Sequence, residues 1–447
     1  MTPLLVPMHG IGSRRDLPLP FEYVLLGAAL VLCISFLVLV FAWRRPRWDR
    51  GLRGVALPRL TRLVDAPAFR TVARLFALAV WVLAGVALWF GQDRVTNPYL
   101  GFLYVWLWVG VVPFSLVFGP AWRVLNPLRT LYRALAAIPG LRARVGATPL
   151  PAWVGILPAT AALAAFTFLE LVQPGNNTLP VLRVWAVVWF VGLLAGALRW
   201  GEDWIAAADP FEAYGTLVAR ISPWRRVEGR LSLVNPLANL VAGPHATGTA
   251  AAVAVLLGST AFDSFGATTG WIRLVQNSGI PAPVWGTGGL AVMIGLVVAT
   301  FSLGVLGMLP QLAPRSRDQV SPRQALNDVM AASVVPIVIG YALGHYLSLL
   351  VLEGQRTAIL FSDPLGLGWN LFGTAELGIW SAWLDYPQVI AVLQLAFIVG
   401  GHLLGVLVAH ELAVARLRPR GALTGQLPLL VVMICYTLGG LVLLFSP

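Results

Sequence analysis

Charge is scarce in this sequence, and one basic residue type is absent. Charged residues make up 11% of 447 positions, all 31 basic residues are arginine, and no lysine occurs. Soluble domains carry about a quarter charged residues, so this composition excludes a water-soluble globular protein. The two cysteines, Cys33 and Cys435, are too few for a disulfide framework or a CxxC motif. We expect both to be small apolar residues inside membrane spans.

Long apolar runs take the place of the missing charge. Hydrophobic residues make up 58% of the chain, and runs of roughly 20 apolar residues, enough to cross about 30 Å of hydrocarbon as a helix, recur along it. Membrane-barrel strands are shorter and alternate in polarity, so the runs exclude a barrel. The sequence predicts an all-α, polytopic integral membrane bundle, with residues 1–447 forming one transmembrane domain. About ten helices are predicted, at 22–43, 73–91, 99–119, 151–172, 181–200, 248–267, 284–309, 328–352, 388–413 and 425–445.

The distribution of arginine predicts the orientation of the bundle. Of the 31 arginines, 25 lie in the first, third, fifth, seventh and ninth connections between the predicted spans, and six lie elsewhere. The positive-inside rule places the arginine-rich connections in the cytoplasm, so both termini, including the tail 1–21, are expected outside the plasma membrane. We expect the first span to be retained. The arginines predict contact with anionic lipid at the cytoplasmic face, and without interleaved stacking aromatics they predict no nucleic-acid partner.

A weak internal repeat lies in the predicted cytoplasmic connections. Asn126-Pro127-Leu128-Arg129 and Asp209-Pro210-Phe211-Glu212 each follow a tryptophan-rich span, and Asn235-Pro236 repeats the same start. Asn or Asp as N-cap, with proline at the first helical position, favours a helix start. We predict short amphipathic helices in the cytoplasmic loops 120–150 and 201–247. The two copies share one orientation, unlike the inverted repeats of transporters, which favours an architectural role.

One predicted outer loop, residues 353–387, is long and rich in glycine, tryptophan and phenylalanine. Large aromatic side chains are unfavourable in water, so we expect this extracytoplasmic loop to fold over the outer mouth of the bundle. Asp363 and Trp369 are the residues that we expect in such an outer lid.

The candidate chemistry is carried by histidines. Three of the five, including His345 and His402, lie inside apolar runs, where an ionisable side chain is costly and often functional. Helix rise places His345 about 10 Å and His402 about 20 Å below the outer ends of their spans. Asp263 and His9 are predicted on the same outer side. We predict that these four residues bind a divalent transition metal, Zn, Mn, Co or Cu, which imidazole and carboxylate ligands suit.

A structural interpretation competes with the metal site. His345 and His402 would then form helix–helix hydrogen bonds, and Asp263 would cap a helix end. His410, beside Glu411, would be a polar group near the cytoplasmic interface. No Ser-His-Asp order, phosphate-binding loop or HExxH motif occurs. The glycines that would allow close packing around the first two histidines are Gly344, Gly400, Gly401 and Gly405.

Several segments resemble a known family. They are His9 to Pro20, Leu26-Gly27-Ala28-Ala29, Ser35-Phe36, and Asp363-Pro364-Leu365-Gly366-Leu367-Gly368-Trp369-Asn370-Leu371-Phe372-Gly373-Thr374. The chain is similar in these segments to a bacterial polytopic membrane family labelled fenitrothion hydrolase, and its lysine-free composition resembles an actinobacterial member. The resemblance implies hydrolysis of an aryl phosphorothioate triester in a bacterial plasma membrane. It assigns no catalytic residue.

Two functional classes therefore follow from the sequence. The first is a membrane-embedded, metal-dependent hydrolase of hydrophobic, organophosphorus-type esters, with an outward-facing site where the ion activates water. The second is a transporter or metal-handling membrane protein whose histidines line the route. A purely structural role is the third interpretation.

Overall fold

A computed structural model describes residues 14–48, 53–139, 146, 148–313, 322–419 and 421–445, with only the backbone described for 322–325. The chain divides into two compact units, and the single transmembrane domain stays a prediction. Unit 1 comprises Met1–Leu52, Leu237–Ser348 and Ser381–Pro447, and unit 2 comprises Arg53–Pro236 and Leu349–Trp380.

Helices account for nearly all of the regular structure. In chain order they are α1 (Phe21–Ala42), α2 (Pro58–Asp65), α3 (Pro67–Phe90), α4 (Pro98–Gly101), a π-helix (Phe102–Val109), α5 (Val111–Phe118), α6 (Trp122–Leu125), α7 (Pro127–Ala136), α8 (Leu157–Leu171), α9 (Leu179–Trp200), α10 (Glu202–Ala208), α11 (Pro210–Ala219), α12 (Pro236–Val241), α13 (Thr249–Gly266), α14 (Thr269–Asn277), α15 (Ala282–Leu306), α16 (Pro322–Met330), α17 (Val335–Leu360), α18 (Pro387–Arg416) and α19 (Ala422–Leu444).

The long helices fall on the predicted apolar runs. Over the described ranges, nine helices are long and apolar enough to cross a membrane, and there are ten if the bent pair Pro98–Val109 and Val111–Phe118 forms one span. The pair bends by 47° at the end of the π-helix, where the backbone hydrogen-bond pattern changes. The helical, multi-pass membrane architecture is thus as predicted. The orientation of the termini stays a prediction.

In unit 1, small residues bring α17 and α18 into backbone contact. A Cβ atom added to Gly401 would lie 2.5 Å from Pro336 O, and one added to Gly405 would lie 2.7 Å from Ser333 O. Such close approach is what glycine allows between membrane helices. Gly344 also faces α18, with Gln394 O 3.2 Å from an added Cβ, whereas Gly400 faces open space. The predicted glycine contacts are confirmed at three of the four positions.

Unit 2 contains a small sheet that the sequence analysis did not predict. Strands β1 (Gly54–Ala56), β2 (Trp224–Val227) and β3 (Arg230–Val234) pair antiparallel in the order β1-β3-β2. The β2–β3 hairpin turns at Glu228 and Gly229, both with positive φ. The sheet places the first and fifth connections on one side of unit 2, as expected for two arginine-rich connections.

The repeated helix starts of unit 2 have the predicted cap geometry. Asn126 Oδ1 accepts from Leu128 N at 3.0 Å, and Asp209 Oδ1 accepts from Phe211 N at 3.1 Å. Both caps precede a proline at the first helical position. Nine of the ten residues of α11 are buried, including its charged Glu212, so burial extends beyond the single apolar face that an amphipathic helix requires.

Candidate functional site

Two of the four predicted site residues meet in unit 1. His345 Nε2 lies 2.9 Å from Asp263 Oδ2. Asp263 belongs to the last turn of α13, and His345 lies within α17, so the contact joins two membrane-spanning helices. His345 is only 4% exposed. A buried histidine paired with a partly buried aspartate at such a position is a strong indicator of function in a membrane protein.

Three further side chains extend the pair into a hydrogen-bonded network. Tyr346 donates its hydroxyl hydrogen to Asp263 Oδ2 at 2.9 Å. On the other side of the imidazole, Ser264 Oγ lies 3.4 Å from His345 Nδ1 and 3.0 Å from the Tyr341 hydroxyl. The Tyr341 ring stacks on the His345 ring with centroids 5.9 Å apart. The network thus links Tyr341, Ser264, His345, Asp263 and Tyr346.

The directions of these hydrogen bonds follow from the groups themselves. An ionised carboxylate only accepts, so His345 Nε2 carries the hydrogen that faces Asp263. In a neutral ring, Nδ1 is then an acceptor facing the Ser264 hydroxyl. The network therefore has a consistent donor direction from Tyr341 through Ser264 and His345 to Asp263. One proton can be added at Nδ1 without breaking the contact with Asp263.

Sequence reasoning missed Ser264, Tyr341 and Tyr346. A signal for them existed, because Tyr341 and His345 are four residues apart and so share a helix face, and Ser264 directly follows Asp263. The sequence lacks a Ser-His-Asp motif, yet the fold brings a serine, a histidine and an aspartate into contact in that order.

His402 occupies a separate position on α18. Its Nδ1 lies 2.8 Å from Ile398 O one turn earlier, and its Nε2 is buried with no hydrogen-bond partner among the described residues. Gly344 meets Gln394 across the interface of α17 and α18, so the turn of α18 opposite His345 is the one around Gln394. Gln394 and His402 are eight residues apart, which is about 12 Å along the helix. These contacts favour separate roles for the two histidines.

A metal site was predicted from His345, His402, Asp263 and His9. Within the ranges that the structure describes, no group of three or more His, Cys, Asp or Glu side chains is arranged to hold a metal ion. Zinc takes at least three protein ligands, and His345 with Asp263 supplies two. His9 lies outside the described residues. The metal site therefore stays a prediction that depends on His9.

His410 is buried and hydrogen-bonded, and its position at the cytoplasmic interface stays a prediction. Its Nδ1 lies 3.0 Å from Gln426 Oε1, and its Nε2 lies 2.9 Å from Trp43 O. The neighbouring carboxylate, Glu411, accepts from Trp43 Nε1 at 2.7 Å and from two backbone amides, Arg47 N and Trp48 N. Together, His410 and Glu411 fix the segment that follows α1.

The predicted lid residues lie in an ordered turn of unit 2. Asp363 accepts from Leu367 N at 2.9 Å and Gly368 N at 2.7 Å. Burial alone would raise the pKa of Asp363, but these backbone hydrogen bonds outweigh it and lower the pKa. Trp369 is 44% exposed. The loop forms hydrogen-bonded turns, and its side chains Leu371 and Phe372 are also exposed. That it folds over the outer mouth as a lid stays a prediction.

A second buried polar cluster joins the two repeated helix starts of unit 2. Asn126 Nδ2 donates to Asp209 Oδ2 at 2.7 Å and to Glu212 Oε2 at 2.9 Å. Arg129 forms a two-pronged ion pair with Glu212, at 2.7 and 2.6 Å, and also binds Glu202. The side chains of the junction are hydrogen-bonded to one another across the two repeated helix starts, which indicates that the repeat acts as an architectural clamp.

Two carboxyl groups of this junction, Asp209 and Glu202, have pKa values that are shifted in opposite directions. Burial and then the negative charge of Glu212 raise the pKa of Asp209 to about 7, against the hydrogen bonds from Phe211 N and Asn126 that lower it. Burial alone would also raise the pKa of Glu202, but Arg133 and Arg129 outweigh it, and the pKa is lowered. Asp209 therefore retains a proton more readily than Glu202.

Comparison with known proteins finds no family model, no curated protein and no solved structure that matches the chain. The resemblance to the fenitrothion hydrolase family stays a prediction.

Proposed function

We propose that the protein is a proton-coupled membrane transporter in which His345 and Asp263 bind the coupled proton. The observation that carries this proposal is the 2.9 Å contact between the two side chains on membrane-spanning helices. Acidic residues and histidines in such positions are the usual elements of proton relays in pumps and transporters. Imidazole is suited to the task because one of its ring nitrogens can bind and release a proton while the other keeps its hydrogen bond.

The pair has two charge states that differ by one proton. With a neutral imidazole, His345 and Asp263 together carry one negative charge. A proton bound at His345 Nδ1 makes the ring an imidazolium, and the two charges then cancel. In a low-dielectric interior this change alters the electrostatic interaction of α13 with α17 much more than it would in water. Proton binding can thereby favour one arrangement of the two helices.

The hydroxyl groups supply a path to the accepting nitrogen. Ser264 gives its proton to His345 Nδ1 while it takes one from the Tyr341 hydroxyl, and the Tyr341 oxygen is reprotonated by the coupled proton that enters from water. Each O–H bond that breaks is thus re-formed, and His345 gains one N–H bond. Tyr346 remains hydrogen-bonded to Asp263 in both charge states. These residues position and relay the proton, and the His345–Asp263 pair holds it.

Two buried polar atoms on α18 support a substrate route beside this site. Gln394 Oε1 and His402 Nε2 are buried, and neither has a hydrogen-bond partner in the described part of the chain. Unpaired buried polar atoms are costly and call for an explanation in each case. Side chains that exchange hydrogen bonds with a passing substrate provide one. This assigns His402 to the route and not to the proton site.

The test is uptake by proteoliposomes under an imposed inward proton gradient. A panel of small organic anions, organic cations and divalent metal ions is offered, and accumulation is measured together with internal pH. We expect accumulation of at least one compound, accompanied by internal acidification. Asp263→Asn and His345→Gln should abolish gradient-driven accumulation, while Asp385→Asn, the same chemical change on an exposed loop, should leave it intact.

Two readouts make the result interpretable. Monodisperse elution and unchanged helical content show that the variants fold, because Asn and Gln retain hydrogen-bonding groups at both positions. The proposal is overturned if folded Asp263→Asn protein accumulates the compound as the unaltered protein does, or if no compound in the panel is accumulated by any form.

The second candidate function is ester hydrolysis, which the contact order Ser264–His345–Asp263 favours. In that chemistry Ser264 is the nucleophile, His345 the general base and Asp263 the group that orients the imidazole. The resemblance to the fenitrothion hydrolase family implies an aryl phosphorothioate triester as substrate. Against a serine nucleophile stand the 3.4 Å separation of Ser264 Oγ from His345 and the burial of Ser264.

Hydrolysis is tested on purified protein with the triester and with a fluorophosphonate probe. A serine hydrolase would lose activity and labelling on Ser264→Ala substitution. The metal-dependent form would bind Zn, Mn, Co or Cu, would lose activity with a chelator, and would lose metal on His345→Ala substitution. Ester hydrolysis that survives Ser264→Ala would exclude the serine hydrolase, and ester hydrolysis that survives the chelator and His345→Ala would exclude the metal-dependent form.

A further inference from the structure

Unit 2 contains a crevice between two membrane-spanning helices. Trp81, Gly85 and Trp89 of α3 line one wall, Trp189 and Phe190 of α9 line the other, and Tyr99 adds its ring. The cavity volume is about 380 Å³, within the range of small-molecule binding sites. It lies in a unit other than that of the His345–Asp263 pair and does not depend on the transport proposal.

The crevice opens toward the surface that lipid covers. Val82 and Val187, which line its edges, are 57% and 45% exposed, and both belong to helices apolar enough to cross a membrane. An occupant therefore enters from the hydrocarbon region and must be apolar enough to partition there.

Two donors inside the crevice have no acceptor. Tyr99 is only 5% exposed, and among the described residues its hydroxyl has no hydrogen-bond partner. The Trp189 indole nitrogen is buried and has no partner either. Tyrosine and tryptophan usually find a partner when buried, because an unmade hydrogen bond costs about 1–3 kcal/mol. These donors indicate a ligand with an acceptor oxygen.

The walls are flat. The Trp81 and Trp189 rings stack with centroids 5.4 Å apart and an interplanar angle of 23°. The faces that these two rings turn toward each other are already in contact, so a ligand ring can stack only on their outer faces or on the other aromatic side chains of the crevice. A lipid acyl chain would fill the volume, but it offers no acceptor and leaves both donors unpaired. The combination distinguishes a ring-containing ligand from an acyl chain.

We propose that this crevice binds a planar, apolar small molecule that reaches it from the bilayer and carries a hydrogen-bond acceptor oxygen. The rings of the ligand pack against the aromatic walls, and its oxygen accepts from the Tyr99 hydroxyl. Gly85 leaves room for it, since no atom lies within 4 Å of a Cβ added there.

Benzophenone is a suitable probe, because it is apolar, has two rings and one carbonyl oxygen, and couples to nearby C–H bonds under ultraviolet light. The full-length protein in nanodiscs is irradiated with increasing benzophenone, and labelled peptides are identified by mass spectrometry. We expect saturable labelling of α3 and α9. Gly85→Phe, which fills the crevice, should abolish it. Gly295→Phe is the matched control, because Gly295 lies on another spanning helix and also has open space around an added Cβ.

The hydrogen bond is tested separately. Tyr99→Phe removes one donor. It should raise the benzophenone concentration that gives half-maximal labelling about 2- to 10-fold, the range expected for one hydrogen bond. Diphenylmethane, which has the rings without the oxygen, should compete correspondingly less well than unlabelled benzophenone. Equal competition by diphenylmethane would overturn the assignment of an acceptor, and labelling that is unsaturable or survives Gly85→Phe would overturn the site itself.

Discussion

His345 Nε2 lies 2.9 Å from Asp263 Oδ2, although the two residues are 82 positions apart in the chain. The contact gives a membrane-embedded carboxylate a titratable neighbour, and Ser264 gives that neighbour a second hydrogen-bond partner. A proton can therefore be held at a defined atom inside a bundle of apolar helices.

Ser264→Ala separates the transport account from the hydrolase account. If Ser264 only relays a proton, its loss removes one hydrogen bond of about 1 kcal/mol, and gradient-driven uptake should fall about 5-fold and remain measurable. If Ser264 is a nucleophile, ester hydrolysis should fall at least about 1,000-fold. Uptake that is unchanged on Ser264→Ala substitution would remove the serine from the relay.

Glu411→Ala should loosen the segment that follows α1. The substitution leaves Trp43 Nε1, Arg47 N and Trp48 N without their common acceptor. One unmade buried hydrogen bond costs about 1–3 kcal/mol, and such costs do not simply add. We expect a loss of at least about 2 kcal/mol of stability, a lower Tm and faster tryptic cleavage in this segment. Glu376→Ala, on an exposed loop, should behave as the unaltered protein. Equal cleavage rates in the two variants would contradict the anchoring role.

The Arg129–Glu212 ion pair should show strong coupling. Both side chains are buried, so Arg129→Met or Glu212→Leu alone leaves a charge without its main partner and should cost about 3–5 kcal/mol. The double variant removes both charges and should be more stable than either single variant. The coupling is measured as a double-mutant cycle, from the thermal unfolding of the unaltered protein, the two single variants and the double variant in one detergent. Additive losses in the double variant would show that the two residues act independently.

The raised pKa of Asp209 predicts that the stability of the protein depends on pH. Its pKa is raised from 3.8 to about 7 by burial and by Glu212, so the folded protein holds a proton that the unfolded chain releases. The contribution to stability is full below about pH 4 and is lost as the pH rises through about 7. Asp209→Asn should remove this contribution, and Tm should then decline less between about pH 5 and 8. An unaltered slope in the variant would show that another group is responsible.

The helical architecture follows from the sequence because apolar runs of membrane-spanning length leave few alternatives. The helix starts at Asn126 and Asp209 were predictable for a similar reason, since Asn or Asp before proline defines a local cap. The β1–β3 pairing was not predictable. Its strands have three and five residues, and they lie far apart in the chain.

The candidate site was predictable only in its residue types. Costly ionisable groups in apolar runs identify His345 and His402, and Asp263 lies at a helix end. Which of them meet depends on the rotation of α13 against α17, and nothing in either helix alone specifies that rotation. The participation of Tyr341 and Ser264 follows from the same packing. His402, on α18, faces Ile398 O of its own helix.

Internal pH during substrate accumulation tests the central claim most directly. Proteoliposomes with an internal pH indicator receive the accumulated compound, and the pH change is recorded for the unaltered protein, Asp263→Asn and Asp385→Asn. The account predicts acidification in step with accumulation for the unaltered protein and for Asp385→Asn, and neither change for Asp263→Asn. Acidification and accumulation by folded Asp263→Asn protein at the unaltered rate would contradict it.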